Sequence, residues 1–141
     1  MLKTKIINQL WLLNGKSHYK HYTSNSRYVN EVQLLKLKSY LRKNELTQFG
    51  DDHEFRNIFS YEEYIRNVPI SDWNYLKPYV DKIAHGETAV LTQEKVIRFE
   101  ATSGTTNASK LIPYTKTLLS EYQQGINCWM QNLYKKNSKI C

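Results

Sequence analysis

The chain has 141 residues and carries 20 Lys+Arg against 13 Asp+Glu, a formal net charge of +7. Hydrophobic residues make up 40% and charged residues 23%, with 11 Tyr and 3 Trp. This balance excludes a collagen, a coiled-coil rod, a disulfide scaffold and a disordered polyampholyte, and it leaves enough apolar bulk for a core.

The opening MLKTKIINQLWLL joins charge to an apolar patch, but Asn8 and Gln9 interrupt it and no small-residue cleavage site follows. It does not read as a signal peptide. No apolar run reaches the roughly 18 residues of a spanning helix, so neither a span nor a membrane partner is expected. Cys128 and Cys141 make neither a disulfide framework nor a metal site, and a cytoplasmic location follows by default.

Residues 14–25 (NGKSHYKHYTSN) are polar and predict a loop. Asn30 with Gln33 resembles a capping box, and Val32, Leu35, Leu37 and Leu41 share a helical face, predicting a helix over 28–46. TQFGDD (47–52) predicts a turn. Ser60 with Glu63 predicts a capped helix over 61–67, which must stop before Pro69. Ser71 is the expected cap of a further helix, broken or restarted at Pro78 and ending near Gly86. Residues 88–92 (TAVLT) and 96–101 (VIRFEA) are β-rich and predict two short strands. After a loop, Thr115 is expected to cap a long helix. There Leu118, Leu119, Tyr122, Ile126, Trp129, Met130 and Leu133 recur at spacings of three and four. Gly125 within that helix suggests a helix-packing contact.

The charge is uneven. Residues 1–50 carry nine Lys/Arg and two Asp/Glu, 51–100 six and ten, and 101–141 five and one. A basic head and tail around an acidic middle is weak support for nucleic-acid binding, which is not expected. His18, His21, His53 and His85 lack the cysteines or clustered carboxylates that would complete a zinc set, so no metal site is expected. Asp51-Asp52-His53-Glu54 reads as a turn, and Trp73, Tyr75, Tyr79 and Trp129 read as core.

Chemistry concentrates in Thr102-Ser103-Gly104-Thr105-Thr106-Asn107-Ala108-Ser109-Lys110. Gly104 permits positive φ and close backbone approach. Successive N–H groups of such a loop line a nest for an anion. Ser103, Thr105 and Thr106 add hydroxyl donors, and Lys110 adds a mobile positive charge. Together they suit the phosphates of a nucleotide. The run is not a Walker A loop, because Leu111 rather than Ser or Thr follows the lysine. A plain solvated turn is the alternative for such a tract taken alone.

The flanks narrow the choice. FEATSGTTNASKLIPYT, with LLSEYQQGINCWMQNLY behind it, resembles the auxin-responsive acyl-acid amido synthetases of the adenylate-forming superfamily. LTQFGDDHEF resembles that family's T-x-[FY]-G-x-x-H-x-F segment. The stretch from Tyr64 through Val68-Pro69 to Trp73 resembles its Y-x-x-x-V-P-[IV]-x-x-[YW] segment. The likeness runs over roughly residues 30–135.

The resemblance implies that Thr102, Ser103, Gly104, Thr105, Thr106 and Lys110 contact ATP phosphates, with ATP and Mg²⁺ as cofactors. It implies an ATP-dependent acid–amino acid ligase that adenylates a carboxylic acid and passes the acyl group to an amine. It implies an α/β fold, with helices around two short strands, then a phosphate-binding loop and a long helix. Many relatives carry a Gly where this chain has Asn107-Ala108-Ser109. The family is several-fold longer, so residues 1–141 are expected to be an incomplete amino-terminal part: a variable basic head over 1–25, then the family-like region 26–141. Alone it is expected to be inactive and to associate, with the remainder of the enzyme as a partner chain. The alternative is a free-standing basic helical module that binds nucleic acid or a partner protein.

Overall fold

The computed structural model describes residues 2–102 and 110–137. In chain order these form α1 (Leu2–Asn25), α2 (Val29–Asn44), α3 (Gln48–Asp52), a 3-10 turn (Phe55–Asn57), α4 (Tyr61–Asn67), α5 (Trp73–Ala84), β1 (Arg98–Ala101), β2 (Leu111–Tyr114) and α6 (Lys116–Lys136). The result is a mostly helical α/β chain with one two-stranded antiparallel sheet. It divides into two units, residues 1–29 with 117–141 and residues 30–116.

In the first unit α1 pairs with α6. Residues 14–25, expected as a loop, are helical. Their local polarity yields to packing. A Cβ at Gly15 would lie 3.3 Å from both Asn127 Cβ and Gln131 Nε2, so glycine lets the two backbones approach. Trp11 Nε1 donates to Asn127 Oδ1 at 2.8 Å, and the Gln131 amide donates to the Leu12 carbonyl. The Lys135 ammonium sits 3.9 Å from the centre of the Tyr19 ring. The buried residues of α6 are therefore polar, Asn127 and Gln131, and both are satisfied. The apolar stripe read from the sequence is divided: Leu119, Ile126, Met130 and Leu133 are half-buried, while Leu118, Tyr122 and Trp129 are exposed. Trp129 is thus not core. Gly125 has nothing within 4 Å of a would-be Cβ, so no packing contact explains it.

The second unit buries Leu41, Ile58, Val80 and Val90. Here α2 begins at Val29, one residue before the expected cap Asn30. The expected turn at 47–52 is the short helix α3, capped by Thr47. Helix α4 starts at the expected Ser60–Glu63 capping box and ends at Val68, whose ψ of 111° is the extended conformation that a following proline imposes. Asp72, not Ser71, caps α5: its carboxylate accepts from the Tyr75 N–H at 3.0 Å, while Ser71 turns back to the Pro69 carbonyl. Pro78 lies within an unbroken α5. The helix closes at Gly86, whose φ of 97° suits glycine.

Residues 88–92 are not a strand. Their carbonyls serve another element: Ala89 and Val90 accept from the Gln48 and Phe49 N–H groups at 2.8 and 2.9 Å. Those are first-turn donors of α3 that no intrahelical carbonyl reaches. The partner of β1 lies instead across the Ser/Thr loop, at β2. Pro113 in β2 lacks the N–H of a strand interior, which hides the strand from propensity, yet an edge position tolerates it.

Candidate functional site

The β1–β2 hairpin carries the candidate phosphate loop. The ladder pairs Arg98 with Tyr114, Phe99 with Pro113, Glu100 with Ile112 and Ala101 with Leu111. It extends one step further, since the Thr102 N–H donates to the Lys110 carbonyl at 3.0 Å. The tract thus joins two antiparallel strands, not a strand and a helix. Thr102 and Lys110 are exposed at its base. Ser103, Gly104, Thr105 and Thr106 lie outside the described residues.

The stem is held on both sides. At its open end the Ile97 N–H donates to the Tyr114 carbonyl at 2.8 Å. The Arg98 guanidinium is 5.5 Å from the centre of the cross-strand Tyr114 ring and 2.9 Å from the Glu100 carboxylate. Helix α5 packs on β2, and the buried Thr115 leads from β2 into α6. Alternation places Arg98, Glu100, Ile112 and Tyr114 on one face of the hairpin and Phe99, Ala101, Leu111 and Pro113 on the other.

A second knot explains the T-x-F-G-x-x-H-x-F residues structurally. Thr47 is fully buried; its hydroxyl accepts from the Gly50 N–H at 2.9 Å and donates to the Asn44 carbonyl at 2.7 Å. A Cβ at Gly50 would lie 2.2 Å from the Asn44 carbonyl oxygen, so only glycine fits. His53 is buried, stacked on Phe49 with ring centres 4.0 Å apart. Its Nδ1 lies 2.7 Å from the Phe49 carbonyl and its Nε2 2.6 Å from the Tyr75 hydroxyl. A carbonyl only accepts, so Nδ1 carries hydrogen and Nε2 accepts from Tyr75 in the neutral ring. Tyr79 donates to Asp52 at 2.8 Å, and Lys82 to Gln48 at 2.8 Å. Burial, then the bond to Asp52, pushes the Tyr79 hydroxyl well above its ordinary value, so it stays protonated. Thr47 and Gly50 tie α3 to the end of α2, and the His53–Tyr75, Asp52–Tyr79 and Gln48–Lys82 bonds join its residues to α5.

The other candidates do not assemble. His21 accepts from the Asn25 amide, and the His85 ring bonds the Asp81 carbonyl. Among the described residues no three of His, Cys, Asp and Glu gather to hold a metal ion. Burial raises the Cys128 thiol, which leaves it a poor nucleophile. A groove of about 630 Å³ between α2 and the start of α4 is lined by Leu34, Leu37, Phe59, Tyr61 and Tyr64 together with neutral amides and Glu62.

Comparison with known proteins identifies the family. Residues 18–140 match the GH3 family N-terminal domain. The chain is 35% identical over 97 residues to a probable indole-3-acetic acid-amido synthetase GH3.7 of Oryza sativa subsp. japonica, covering 60% of this chain and 15% of that protein. It is 30% identical over 103 residues to the 4-substituted benzoates-glutamate ligase GH3.12 of Arabidopsis thaliana, covering 71% of this chain and 17% of that protein. The chain therefore spans about a sixth of the length of these curated relatives.

Proposed function

The chain belongs to the GH3 family, whose N-terminal domain it matches over residues 18–140, and from this we propose that its β1–β2 hairpin is the ATP-phosphate grip of an acyl-acid amido synthetase. One observation carries this reading. The Thr102–Lys110 pair closes the hairpin at the two ends of the Ser/Thr/Gly tract, so the tract forms the connection of a hairpin anchored by α5. A loop of hydroxyls, backbone N–H groups and one lysine suits phosphate oxygens.

In the proposed reaction the substrate carboxylate attacks the α-phosphorus of ATP. The bond to the β-phosphate oxygen breaks, and pyrophosphate leaves. An amine then attacks the acyl carbon and displaces AMP. The loop's part is to hold the polyphosphate and offset charge as pyrophosphate departs. Mg²⁺ is assigned as a companion of the nucleotide, bound through its phosphates.

The curated relatives are far longer. We assign the adenine, acyl-acid and amine sites to polypeptide beyond these 141 residues, and the exposed α6 stripe of Leu118, Tyr122 and Trp129 to contact with it. A cytoplasmic location accords with ATP as substrate. No helix among the described residues is long and apolar enough to cross a membrane.

The test is a hairpin transplant. Residues 97–115 replace the equivalent segment of the Arabidopsis 4-substituted benzoates-glutamate ligase, and benzoate-dependent exchange of pyrophosphate into ATP is measured. Retained exchange that Lys110→Ala and Gly104→Val each reduce at least about tenfold supports the reading. A folded chimera that exchanges equally well with both substitutions overturns it.

A further inference from the structure

Helix α1 combines positive charge with a row of exposed aliphatic residues. The unit made of residues 1–29 and 117–141 holds eight Lys/Arg and a single acid, Glu121, whereas residues 30–116 hold twelve of each sign. The whole +7 therefore belongs to this unit, and four of its positive charges lie on α1. Helix α1 contains no acidic residue at all, and its Lys3, Lys5, Lys16 and Lys20 are exposed.

One face of α1 is occupied: Trp11, Leu12 and Gly15 meet α6. Ile6, Leu10 and Leu13 recur at spacings of four and three, which puts them on a shared face. At 100° per residue that face points away from the Trp11–Gly15 side. These residues are 51%, 61% and 68% exposed, and Ile7 beside them is 62% exposed. All four precede residue 18, where the match to the family begins.

We infer that the outward face of α1 docks on an anionic membrane surface, with Ile6, Leu10 and Leu13 entering the headgroup boundary and the flanking lysines meeting lipid phosphates and carboxylates. The chemistry selects this occupant. The first half of α1, free of acids and carrying this short aliphatic row among lysines, matches an interface that is apolar below and negative above. Lysine stems lie along apolar surface while their ammonium groups reach charge. A second copy of this face would bring like charges together. A polynucleotide would find lysines but neither stacking rings nor hydrogen-bond donors in the aliphatic row. A surface contact needs no spanning segment, so the absence of an apolar run of spanning length does not bear on it.

Flotation of the full chain through a sucrose gradient tests this, because bound protein rises with vesicles whereas self-associated protein sinks. The vesicles are phosphatidylcholine alone, or phosphatidylcholine with about a quarter phosphatidylserine. The expected result is flotation with the serine-containing vesicles, falling about tenfold with phosphatidylcholine alone and again in high salt. Leu10→Glu with Leu13→Glu is expected to abolish flotation at unchanged helical circular dichroism. Lys3→Glu with Lys5→Glu alters only exposed charge and is expected to reduce flotation about tenfold, a check independent of the apolar row. The inference is overturned by failure to float with phosphatidylserine, by equal flotation on both vesicles, by wild-type flotation of both variants, or by polynucleotide binding without flotation.

Discussion

The Thr102 N–H and the Lys110 carbonyl meet at 3.0 Å, one step past the last Ala101–Leu111 ladder pair. Because the bond is between backbone groups, the hairpin closes whatever the Lys110 side chain is. The exposed ammonium is thereby separated from the fold. Lys110→Ala is expected to shift unfolding free energy by less than about 0.5 kcal/mol, as surface substitutions do. In the transplanted enzyme the same change is expected to weaken ATP about tenfold. Urea unfolding and the KM for ATP read the two effects separately.

Gly50→Ala places a methyl group 2.2 Å from the Asn44 carbonyl oxygen, a distance that requires the backbone to move. A loss of about 1–3 kcal/mol is expected, the range for overpacking a tight site. Gly125→Ala meets open space within a helix and is expected to stabilise by roughly 0.5–1 kcal/mol. Opposite shifts of the thermal midpoint for two Gly→Ala changes would verify both environments.

The Ser60–Glu63 box governs acid behaviour locally. The Phe59 N–H donates to the Glu63 carboxylate at 2.7 Å and the Ser60 N–H at 3.0 Å. The Phe59 bond is the largest cause holding this carboxyl below the ordinary glutamate range, against a smaller opposing effect of desolvation. A carboxyl lowered in the folded state stabilises above its unfolded value and loses that contribution as pH falls through its folded value. The stability gap between wild type and Glu63→Gln is therefore expected to narrow below the ordinary glutamate range and stay constant near neutrality. Urea titrations at several pH values measure it. Ser60→Ala removes the hydroxyl cap at every pH and is expected to cost about 1 kcal/mol.

Tyr75→Phe withdraws the hydroxyl that serves His53 Nε2 and leaves a buried acceptor unpaired. A loss of about 1–3 kcal/mol is expected. His53→Phe combined with Tyr75→Phe is expected to cost less than the sum of the single changes, because the orphaned acceptor disappears with the histidine. A double-mutant cycle in urea decides this.

Tyr122→Ser with Trp129→Ser removes exposed apolar surface from α6 without touching Asn127 or Gln131. Sedimentation velocity is expected to show less self-association of the isolated chain, with helical content retained.

Local chemistry was legible wherever neighbouring residues decide the outcome. Ser60 and Glu63 bond within one turn, Pro69 restricts the residue before it, and Gly86 supplies positive φ at a helix end. Membership of the GH3 family is likewise carried by sequence, as is the Ser/Thr/Gly tract ending at Lys110. Other features required partners distant in the chain. The 88–92 stretch has strand propensity, but its carbonyls are taken by the first turn of α3 some forty residues earlier. Pro113 disguised β2, which only pairing with Phe99 across the loop makes a strand. The polar 14–25 stretch became helix because Gly15 admits Asn127 and Gln131, more than a hundred residues away. The chain by itself determined which groups are available to a phosphate. Tertiary pairing decided that they sit on a hairpin, and that Leu118, Tyr122 and Trp129 of the apolar stripe of α6 face outward while Leu119, Ile126, Met130 and Leu133 are half-buried. Periodicity reports that a helix has an apolar side, whereas only contacts with the rest of the fold determine what that side meets.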